Sequence, residues 1–432
     1  MLKRIKNIIS NTDRFLYKKF GTAKSLKLLE NIKEAKVIFS YLNIAREESK
    51  VRFVGGCVRK ALCGEFIDDI DLATSLEPEE VKQKLVSKNI KIIDVGISHG
   101  TVTAILNNKK FEITTLRKDL STDGRHANVE FMLDWEADAS RRDFTINAIY
   151  ADIEGRIFDP LNGTLDLKKG IVKFIGSPEE RIQEDYLRIL RYFRFFIEYS
   201  LVDQDQSVIK SIKKNINGLS KISNERIFDE LNKILKSKKL YNLFSNNNLS
   251  EIILSIFPQF KHHKRLKIKN SLEKKLTNQY DACLILALLI LDGSNEYEYF
   301  CYKFKVSNNI KKRLKNINDN YENLKNKKFY SKENIKRLIY LFSKNDVIDL
   351  LLFSACEFGR DKKINISELI NYVNTSEIPK FPISGNYLKK YGYKTGEELG
   401  KKLKFLEDKW IDNNFAIDNK TIEKYLGKPN QN

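Results

Sequence analysis

The chain has 432 residues, enough for two to four domains, and 42% of them are hydrophobic, which suffices for buried cores. Lys and Arg number 77 against 57 Asp and Glu, a net charge of +20 that favours a polyanionic partner unless it only reflects an AT-rich genome. The longest apolar run, 283–291, is too short to span a membrane, and five scattered cysteines and four histidines indicate a reduced, cytoplasmic protein without a zinc site.

The arrangement of apolar residues divides the chain into two regimes. Residues 1–30 mix basic residues with isoleucines and lack an uninterrupted apolar segment, which predicts a basic extension and not a signal peptide. From VRFVGG (51–56) to IVKFIG (171–176), short β-rich runs separated by glycines predict strands of one sheet with helices between them. Beyond residue 178, apolar residues recur every three or four positions, which predicts helices. The predicted fold class is an α+β head with a mixed sheet, followed by an all-α C-terminal half.

The first predicted strand ends in VGGCVRK (54–60), which is a candidate phosphate site. Gly55 and Gly56 let backbone N–H groups approach a ligand that a Cβ atom would block. They open a predicted helix, whose N-terminus favours an anion, and Arg59 follows as a bidentate clamp. A plain turn between a strand and a helix is the simpler interpretation of the same residues.

Three aspartates follow in FIDDIDLAT (66–74). Side chains alternate along a strand, so Asp69 and Asp71 project to one face while Asp68 points to the other. Two adjacent carboxylates repel each other but suit a hard cation such as Mg²⁺, and Glu112 on a later strand is a candidate third carboxylate. Two metal ions held there would support in-line phosphoryl transfer. The alternative is an acidic, solvated strand end.

Two further segments combine arginine with aspartate. SRRDFTINAIY (140–150) places Arg142 and Asp143 at the entry to a predicted helical run, as an anion clamp or as the charged start of a surface helix. QEDYLRILRYFRFF (183–196) spaces four polar residues three positions apart, which predicts a slanted row on one helix: Asp185, Arg188, Arg191 and Arg194. An ordinary amphipathic helix with a surface ion pair has the same spacing.

Taken in order, these segments resemble the class II CCA-adding enzymes, which are tRNA nucleotidyltransferases of the polymerase-β-like superfamily related to bacterial poly(A) polymerases. The resemblance covers about residues 50–240 and rests on VGGCVRKALCGEFIDDIDLATSLEPEEV, GISHGTVTAI, FEITTLRKD, RRDFTINA and EDYLRILRYFRF. A weaker similarity lies at 381–415. It implies four parts: the extension 1–30, a catalytic head 31–160, a neck 161–245 with the nucleotide-selecting helix, and a tRNA-binding body and tail 246–432.

The resemblance also implies roles for the residues above. Gly55, Gly56 and Arg59 would hold the triphosphate, and Asp69 and Asp71 would bind catalytic Mg²⁺. Arg142 would contact the nucleotide phosphates, with Asp143 near the ribose. Asp185 and Arg188 would select the base, assisted by Arg191 and Arg194. One position departs from the family pattern, because Lys60 stands where an aspartate is usual.

Selection of C and A by one pair has a physical basis. Asp185 can only accept hydrogen bonds and Arg188 can only donate them. Cytosine and adenine present an amine donor beside a ring acceptor, whereas uracil and guanine present the reverse. The expected substrates are therefore CTP, ATP and the acceptor arm of tRNA, with no membrane or obligate protein partner. A poly(A) polymerase, a partial CC- or A-adding enzyme and a non-catalytic RNA-binding protein are the alternatives.

Overall fold

The computed structural model describes residues 26, 29, 31–43, 50–93, 96–97, 100–122, 127–358 and 364–426, without the side chains of 118–129. The predicted extension 1–30 lies outside the described residues except for Leu26 and Leu29. The chain forms two compact units, residues 1–256 and 257–432.

The α+β part of the first unit alternates short strands and helices. Its elements are α1 (Lys33–Leu42), β1 (Val51–Val54), α2 (Gly56–Leu62), β2 (Ile70–Thr74), α3 (Pro78–Val86), β3 (Lys91–Ile93), β4 (Thr101–Leu106), β5 (Lys109–Thr115), β6 (Arg117–Thr122), β7 (Ala127–Phe131), α4 (Trp135–Ser140), β8 (Tyr150–Ala151) and β9 (Ile157–Phe158). A single 3₁₀ turn, Thr145–Asn147, lies between α4 and β8.

Seven of these strands form one mixed sheet in the order β3-β4-β5-β2-β1-β8-β9. The β2–β5 pair is parallel and the other pairs are antiparallel. The parallel register sets Asp71 directly beside Glu112. Strands β6 and β7 form a separate two-stranded sheet. The central strand β2 therefore carries its acidic N-terminal end between the ends of β1 and β5.

Helices complete the first unit and cover an aromatic core. They are α5 (Gly163–Lys169), α6 (Pro178–Glu184), α7 (Arg188–Tyr199), α8 (Gln206–Asn215), α9 (Asn224–Leu235), α10 (Tyr241–Ser245) and α11 (Asn247–Ile256). The core forms where α7 packs on the segment after α4. Phe144 lies 4.5 Å from Phe174 and 5.3 Å from Phe195 between ring centroids, and Tyr192 stacks on Phe174 at 5.9 Å. These contacts fix α7 against the head.

The second unit is helical throughout its described residues. Its helices are α12 (Arg265–Ser271), α13 (Lys274–Thr277), α14 (Ala282–Ile290), α15 (Glu296–Lys303), α16 (Asn308–Asp319), α17 (Lys332–Leu341), α18 (Lys344–Glu357), α19 (Ile366–Thr375), α20 (Gly385–Lys389), α21 (Glu397–Asp412) and α22 (Asn419–Leu426). Helix α14 is buried along its length. Within the described ranges, no helix combines the length and apolarity that crossing a bilayer requires.

The predicted fold class is confirmed, and three local predictions are wrong. IVKFIG (171–176) is not a strand, because only an isolated bridge joins Phe174 to Phe144. The RRDFTINA segment does not enter a helix, since Thr145–Asn147 makes only one 3₁₀ turn before β8. The polar row does not lie on one helix, because α6 ends at Glu184 and α7 begins at Arg188.

Candidate active site

The Gly-Gly turn connects β1 to α2 through a strained backbone. Gly55 has φ +66°, a conformation that L side chains rarely adopt, and its N–H donates to the Ile149 carbonyl at 3.1 Å. A Cβ atom on Gly55 would lie 3.3 Å from the Asn147 carbonyl oxygen and 3.7 Å from Arg142 Nη1. The predicted turn and helix are present, and the turn lies against the RRDFTINA segment.

Arg59 points from α2 into the interior of the first unit. Its Nη1 donates to the Asn147 side-chain oxygen, and its guanidinium lies 4.6 Å from the Phe195 ring centroid and 4.9 Å from that of Tyr199. Arg59 is buried, and its Nε has no hydrogen-bond partner among the residues that the structure describes. A buried donor left unpaired costs free energy, so Arg59 holds its position beside the Gly-Gly turn at the expense of one hydrogen bond.

The carboxylates gather at the N-terminal end of β2. Asp71 Oδ2 lies 3.9 Å from the position of a Cβ atom on Gly56. Burial raises the pKa of Asp71 to about 6, with Glu112 and Asp69 adding to the rise and Arg142 and Arg59 opposing it. The predicted crowding of carboxylates is therefore present, directly beside the Gly-Gly turn.

Glu112 does not complete a cage of three carboxylates. It faces Asp71 across the parallel pair, but its Oε1 accepts from Lys110 at 2.5 Å. Among the described side chains, no group of three or more His, Cys, Asp and Glu converges closely enough to hold a metal ion. Asp69 and Asp71 thus offer two carboxylates, which fits a Mg²⁺ ion that takes its other ligands from water and substrate phosphates.

Asp68 lies just before β2, which begins at Ile70, so strand alternation does not set the direction of its side chain. Its carboxylate forms an ion pair with Lys60, and its Oδ1 also accepts from the Asp69 N–H at 3.0 Å. Lys60, the residue that departs from the family pattern, therefore pairs with Asp68 in the link just before Asp69 and Asp71.

Arg142 is fixed by a buried acid that the sequence analysis did not identify. Its Nη2 donates to Asp138 Oδ2 at 2.9 Å, and its Nε donates to the Tyr150 hydroxyl at 3.1 Å. Burial would raise the pKa of Asp138, but Arg142 and Arg141 outweigh it and hold that pKa at about 2. Arg142 is thus held close to Gly55 by partners on α4 and β8.

Asp143 joins the head to α7. Its Oδ1 accepts from Asn147 Nδ2 at 2.8 Å and its Oδ2 accepts from Arg191 Nε at 2.7 Å. Burial would raise the pKa of Asp143, yet Arg191 and Asn147 outweigh it and lower that pKa to about 2. Since Asn147 also accepts from Arg59, one hydrogen-bonded chain connects α2, the 3₁₀ turn and α7.

The polar row is broken at its first member. Asp185 has extended backbone angles, φ −152° and ψ 104°, and its Oδ1 accepts from the Leu187 N–H at 3.1 Å. This Asx-type bond to a residue two positions on competes with helical bonding and explains the break. Among the described residues, the side chains of Asp185 and Arg188 do not bond each other, although the Arg188 N–H donates to the Asp185 carbonyl at 3.0 Å. Arg188 Nη1 instead donates to Glu184 Oε2 at 2.5 Å and to the Arg181 carbonyl at 2.9 Å.

Three arginines surround one aromatic ring on α7. The guanidinium carbons of Arg59, Arg191 and Arg194 lie 4.6, 5.5 and 4.1 Å from the Phe195 ring centroid. Burial lowers the pKa of Arg194, the charges of Arg191 and Arg59 add to this effect, and Glu230 opposes it. Glu230 accepts from Arg194 Nε at 2.5 Å. The arrangement concentrates positive charge where a polyphosphate would relieve it.

The structure brings most of the predicted residues together in the first unit: Gly55, Gly56, Arg59, Asp71, Arg142, Asp143, Arg191 and Arg194. The sequence analysis did not identify the residues that contact these side chains or those of Asp185 and Arg188: Asp138, Asn147, Tyr150, Glu184, Phe195, Arg226 and Glu230. The one local signal for this set was that Asn147 lies four positions after Asp143 in the same segment.

Comparison with protein families gives two matches. Residues 51–173 match the model of the poly A polymerase head domain, and residues 205–263 match the model described as a probable RNA and SrmB-binding site of polymerase A. The human protein named CCA tRNA nucleotidyltransferase 1, mitochondrial, is 35% identical over 406 residues, 89% of this chain and 88% of the human protein. The CCA-adding enzyme of Lactobacillus helveticus is 31% identical over 87% of this chain and 92% of its own length.

Solved structures show the same fold. The Bacillus stearothermophilus CCA-adding enzyme in complex with CTP aligns with a TM-score of 0.69 at 24% identity, covering 91% of this chain and 96% of that one. The Thermotoga maritima CCA-adding enzyme complexed with tRNA aligns with a TM-score of 0.60 at 19% identity, covering 93% and 97%.

Proposed function

Because this chain belongs to the family of CCA-adding tRNA nucleotidyltransferases, we propose that it adds CMP, CMP and AMP to the 3′ end of tRNA. CTP and ATP are the donors, and no nucleic-acid template is needed. The resemblance inferred from the sequence motifs is confirmed by these relatives. The observation that carries the proposal is the adjacency of the crowded carboxylates on β2, the Gly-Gly turn and the arginines around Phe195.

The triphosphate is assigned to the glycine turn and the arginines. Gly55 and Gly56 present backbone to it, and Arg59 adds positive charge beside the turn from the buried side. Arg142 lies close to Gly55, while Arg191 and Arg194 share the Phe195 ring with Arg59. Guanidinium groups fixed by other side chains need little reorganisation as negative charge develops during phosphoryl transfer. The bond of Asp143 to Arg191 supports a position at the ribose side of this site.

The metal-binding role is assigned to Asp69 and Asp71. Nucleotidyltransferases of this type generally depend on a metal ion, and we propose Mg²⁺. Two carboxylates without a third ligand suit this ion, which would neutralise the triphosphate and lower the pKa of the attacking hydroxyl. Glu112 contributes negative charge beside Asp71, and its own carboxylate accepts a hydrogen bond from Lys110.

Base selection is assigned to Asp185 and Arg188, although they do not form one helical row. Asp185 keeps an unused acceptor position on each oxygen, and Arg188 keeps donors beyond the Nη1 that bonds Glu184. An acceptor beside a donor matches the edges of cytosine and adenine. We assign tRNA binding to the body and tail 246–432 together with the basic neck segment 213–239, by shape and phosphate contacts, and the head and neck to residues 31–160 and 161–245.

Of the alternatives, poly(A) synthesis and loss of catalysis are not supported by the relatives, which are CCA-adding enzymes. The compartment is a separate question. The cytoplasmic location stays a prediction, since the human relative is named as mitochondrial.

The test is an incorporation assay. Purified protein, Mg²⁺ and tRNA lacking its 3′ end are incubated with each labelled NTP, singly and together. The proposal expects CMP from CTP alone, AMP after CTP is supplied, and a stop after three additions. Long A tails would instead identify a poly(A) polymerase, addition that stops before completing CCA would identify a partial enzyme, and absence of incorporation would overturn the catalytic assignment.

A further inference from the structure

Helix α9 supplies partners to two members of the polar row. Arg226 Nη2 donates to Asp185 Oδ2 at 2.8 Å, and Glu230 accepts from Arg194 Nε at 2.5 Å. Arg226 and Glu230 are four positions apart, so they lie on the same face of α9. This face of α9 contacts the polar row at two places: at Asp185, where the helix is broken, and at Arg194 on α7.

Arg226 contacts Asp185, which is the proposed base-selecting residue that lies outside a helix. Asp185 lies in the extended link between α6 and α7, so helical packing does not fix its side-chain orientation. Its carboxylate is held at one oxygen by the Leu187 N–H and at the other by Arg226. A carboxylate has about four acceptor positions, so a base amine can bond Asp185 while Arg226 remains bound.

The two contacts of α9 differ in burial. Glu230 is 2% exposed and anchors the helix, whereas the side chains of Arg226 and Asp185 are 29% and 19% exposed. The Arg226–Asp185 pair is thus partly exposed and should contribute less to folding than the buried contact of Glu230. We therefore expect the ion pair to act chiefly on the orientation of the Asp185 carboxylate.

On this basis, which rests on the proposed function, we propose that Arg226 is a positioning residue for nucleotide selection. It holds the Asp185 carboxylate in the orientation that accepts the amine of cytosine or adenine and opposes the carbonyl of uracil or guanine. It does so without contacting the base.

The experiment is single-turnover incorporation of each of the four NTPs into tRNA by the full chain. Arg226→Ala should reduce the preference for CTP and ATP over UTP and GTP by about tenfold, the effect of one misplaced charged hydrogen bond. Arg226→Lys, which keeps a donor, should retain most of the preference. Lys233→Ala is the matched control, because Lys233 lies on the same helix and pairs with Glu230 at 3.5 Å. Its preference should match the wild type.

The outcomes separate this inference from alternatives. Thermal unfolding of Arg226→Ala close to that of the wild type is expected, and in an Asp185→Ala background the Arg226 change should have no further effect on preference. Unchanged preference in Arg226→Ala would overturn the inference, and so would a lower KM for CTP and ATP with unchanged preference, since Arg226 would then be a competitor of the base. If the wild type itself adds neither nucleotide, the proposed function fails first.

Discussion

Arg191 approaches a single oxygen of Asp143 with two nitrogens, Nη2 at 2.5 Å and Nε at 2.7 Å. The pair joins α7 to the segment that follows α4. It thereby sets the position of the arginines on α7 relative to the Gly-Gly turn, and its removal affects both folding and catalysis.

Asp143→Asn should destabilise the protein by about 3 kcal/mol at neutral pH, because it leaves Arg191 partly buried without its counter-charge. The pKa of Asp143 is about 2 in the folded protein, below its ordinary 3.8, so its contribution is complete above pH about 4 and is lost as the pH falls towards 2. Urea unfolding at pH 2 to 7 measures this. Between pH 2 and 4, the free energy of unfolding of Asp143→Asn should change less with pH than that of the wild type. Asp229→Asn, on the exposed face of α9, should keep the pH dependence of the wild type. Equal slopes in all three proteins contradict the assignment.

Asp69→Asn and Asp71→Asn should each reduce turnover by about 10² or more, because the metal ion loses half of its protein carboxylates. Affinity for tRNA, measured by filter binding, should stay near that of the wild type. Asp68→Asn is the matched control, since the Asp68 carboxylate is engaged by Lys60. Turnover above about a tenth of wild type in either of the first two variants rules out their role as metal ligands.

Gly55→Ala and Gly64→Ala distinguish backbone strain from damage to the site. Both glycines have φ +66°, so each alanine should cost about 1 kcal/mol of stability or more, with the larger cost at Gly55, whose ψ of −117° lies outside the left-handed helical region. Only the alanine at 55 meets a neighbour, the Asn147 carbonyl oxygen at 3.3 Å, while the one at 64 has nothing within 4 Å. Displacement of Asn147 should raise the KM for CTP by about tenfold or more in Gly55→Ala alone. An equal rise in both variants would show that strain, and not the site, is responsible.

Asp185→Ala should lower the use of CTP and ATP together and relax the exclusion of UTP and GTP by a factor of roughly 10–150, since a charged hydrogen bond is lost. The metal site is unchanged in this variant, so residual turnover should persist. Asp203→Ala, an exposed acid beyond the end of α7, serves as the control. Single-turnover incorporation of the four NTPs decides the matter, and an unaltered preference with an unaltered rate disproves the role in selection.

Affinity for tRNA should weaken steeply with ionic strength, because the net charge of +20 acts on phosphates. The basic segments 213–239 and 261–269 are the predicted contacts. A double substitution of Lys264 and Lys267, both exposed, by glutamine should reduce the slope of log affinity against log salt by about two. A flat salt dependence of the wild type would leave the basic composition without a role in binding.

The chemistry of the site could be predicted wherever it depends on neighbours in sequence. Gly55, Gly56 and Arg59 share one strand–helix turn, and Asp69 and Asp71 lie at one strand end, so the rules of local geometry predict that each set lies close together. The mixed sheet followed by helices was predictable for the same reason, since the spacing of apolar residues changes near residue 178.

The partners of these residues could not be predicted, because they are distant in sequence. Arg59 and Asn147 are 88 positions apart, and Asp185 and Arg226 are 41 apart. The break at Asp185 was missed for a different reason. Apolar periodicity continues across it, whereas one side-chain bond to the Leu187 N–H ends the helix.

The three arginines around Phe195 also bear on the resistance of the protein to proteases. Asp143 and Glu230 compensate the charges of Arg191 and Arg194, and a triphosphate bound beside the three arginines would add its own binding energy to the stability of the native state. The empty molecule is then the form that opens most readily to proteases. The resistance of the purified protein to proteolysis should consequently rise with the concentration of CTP or ATP.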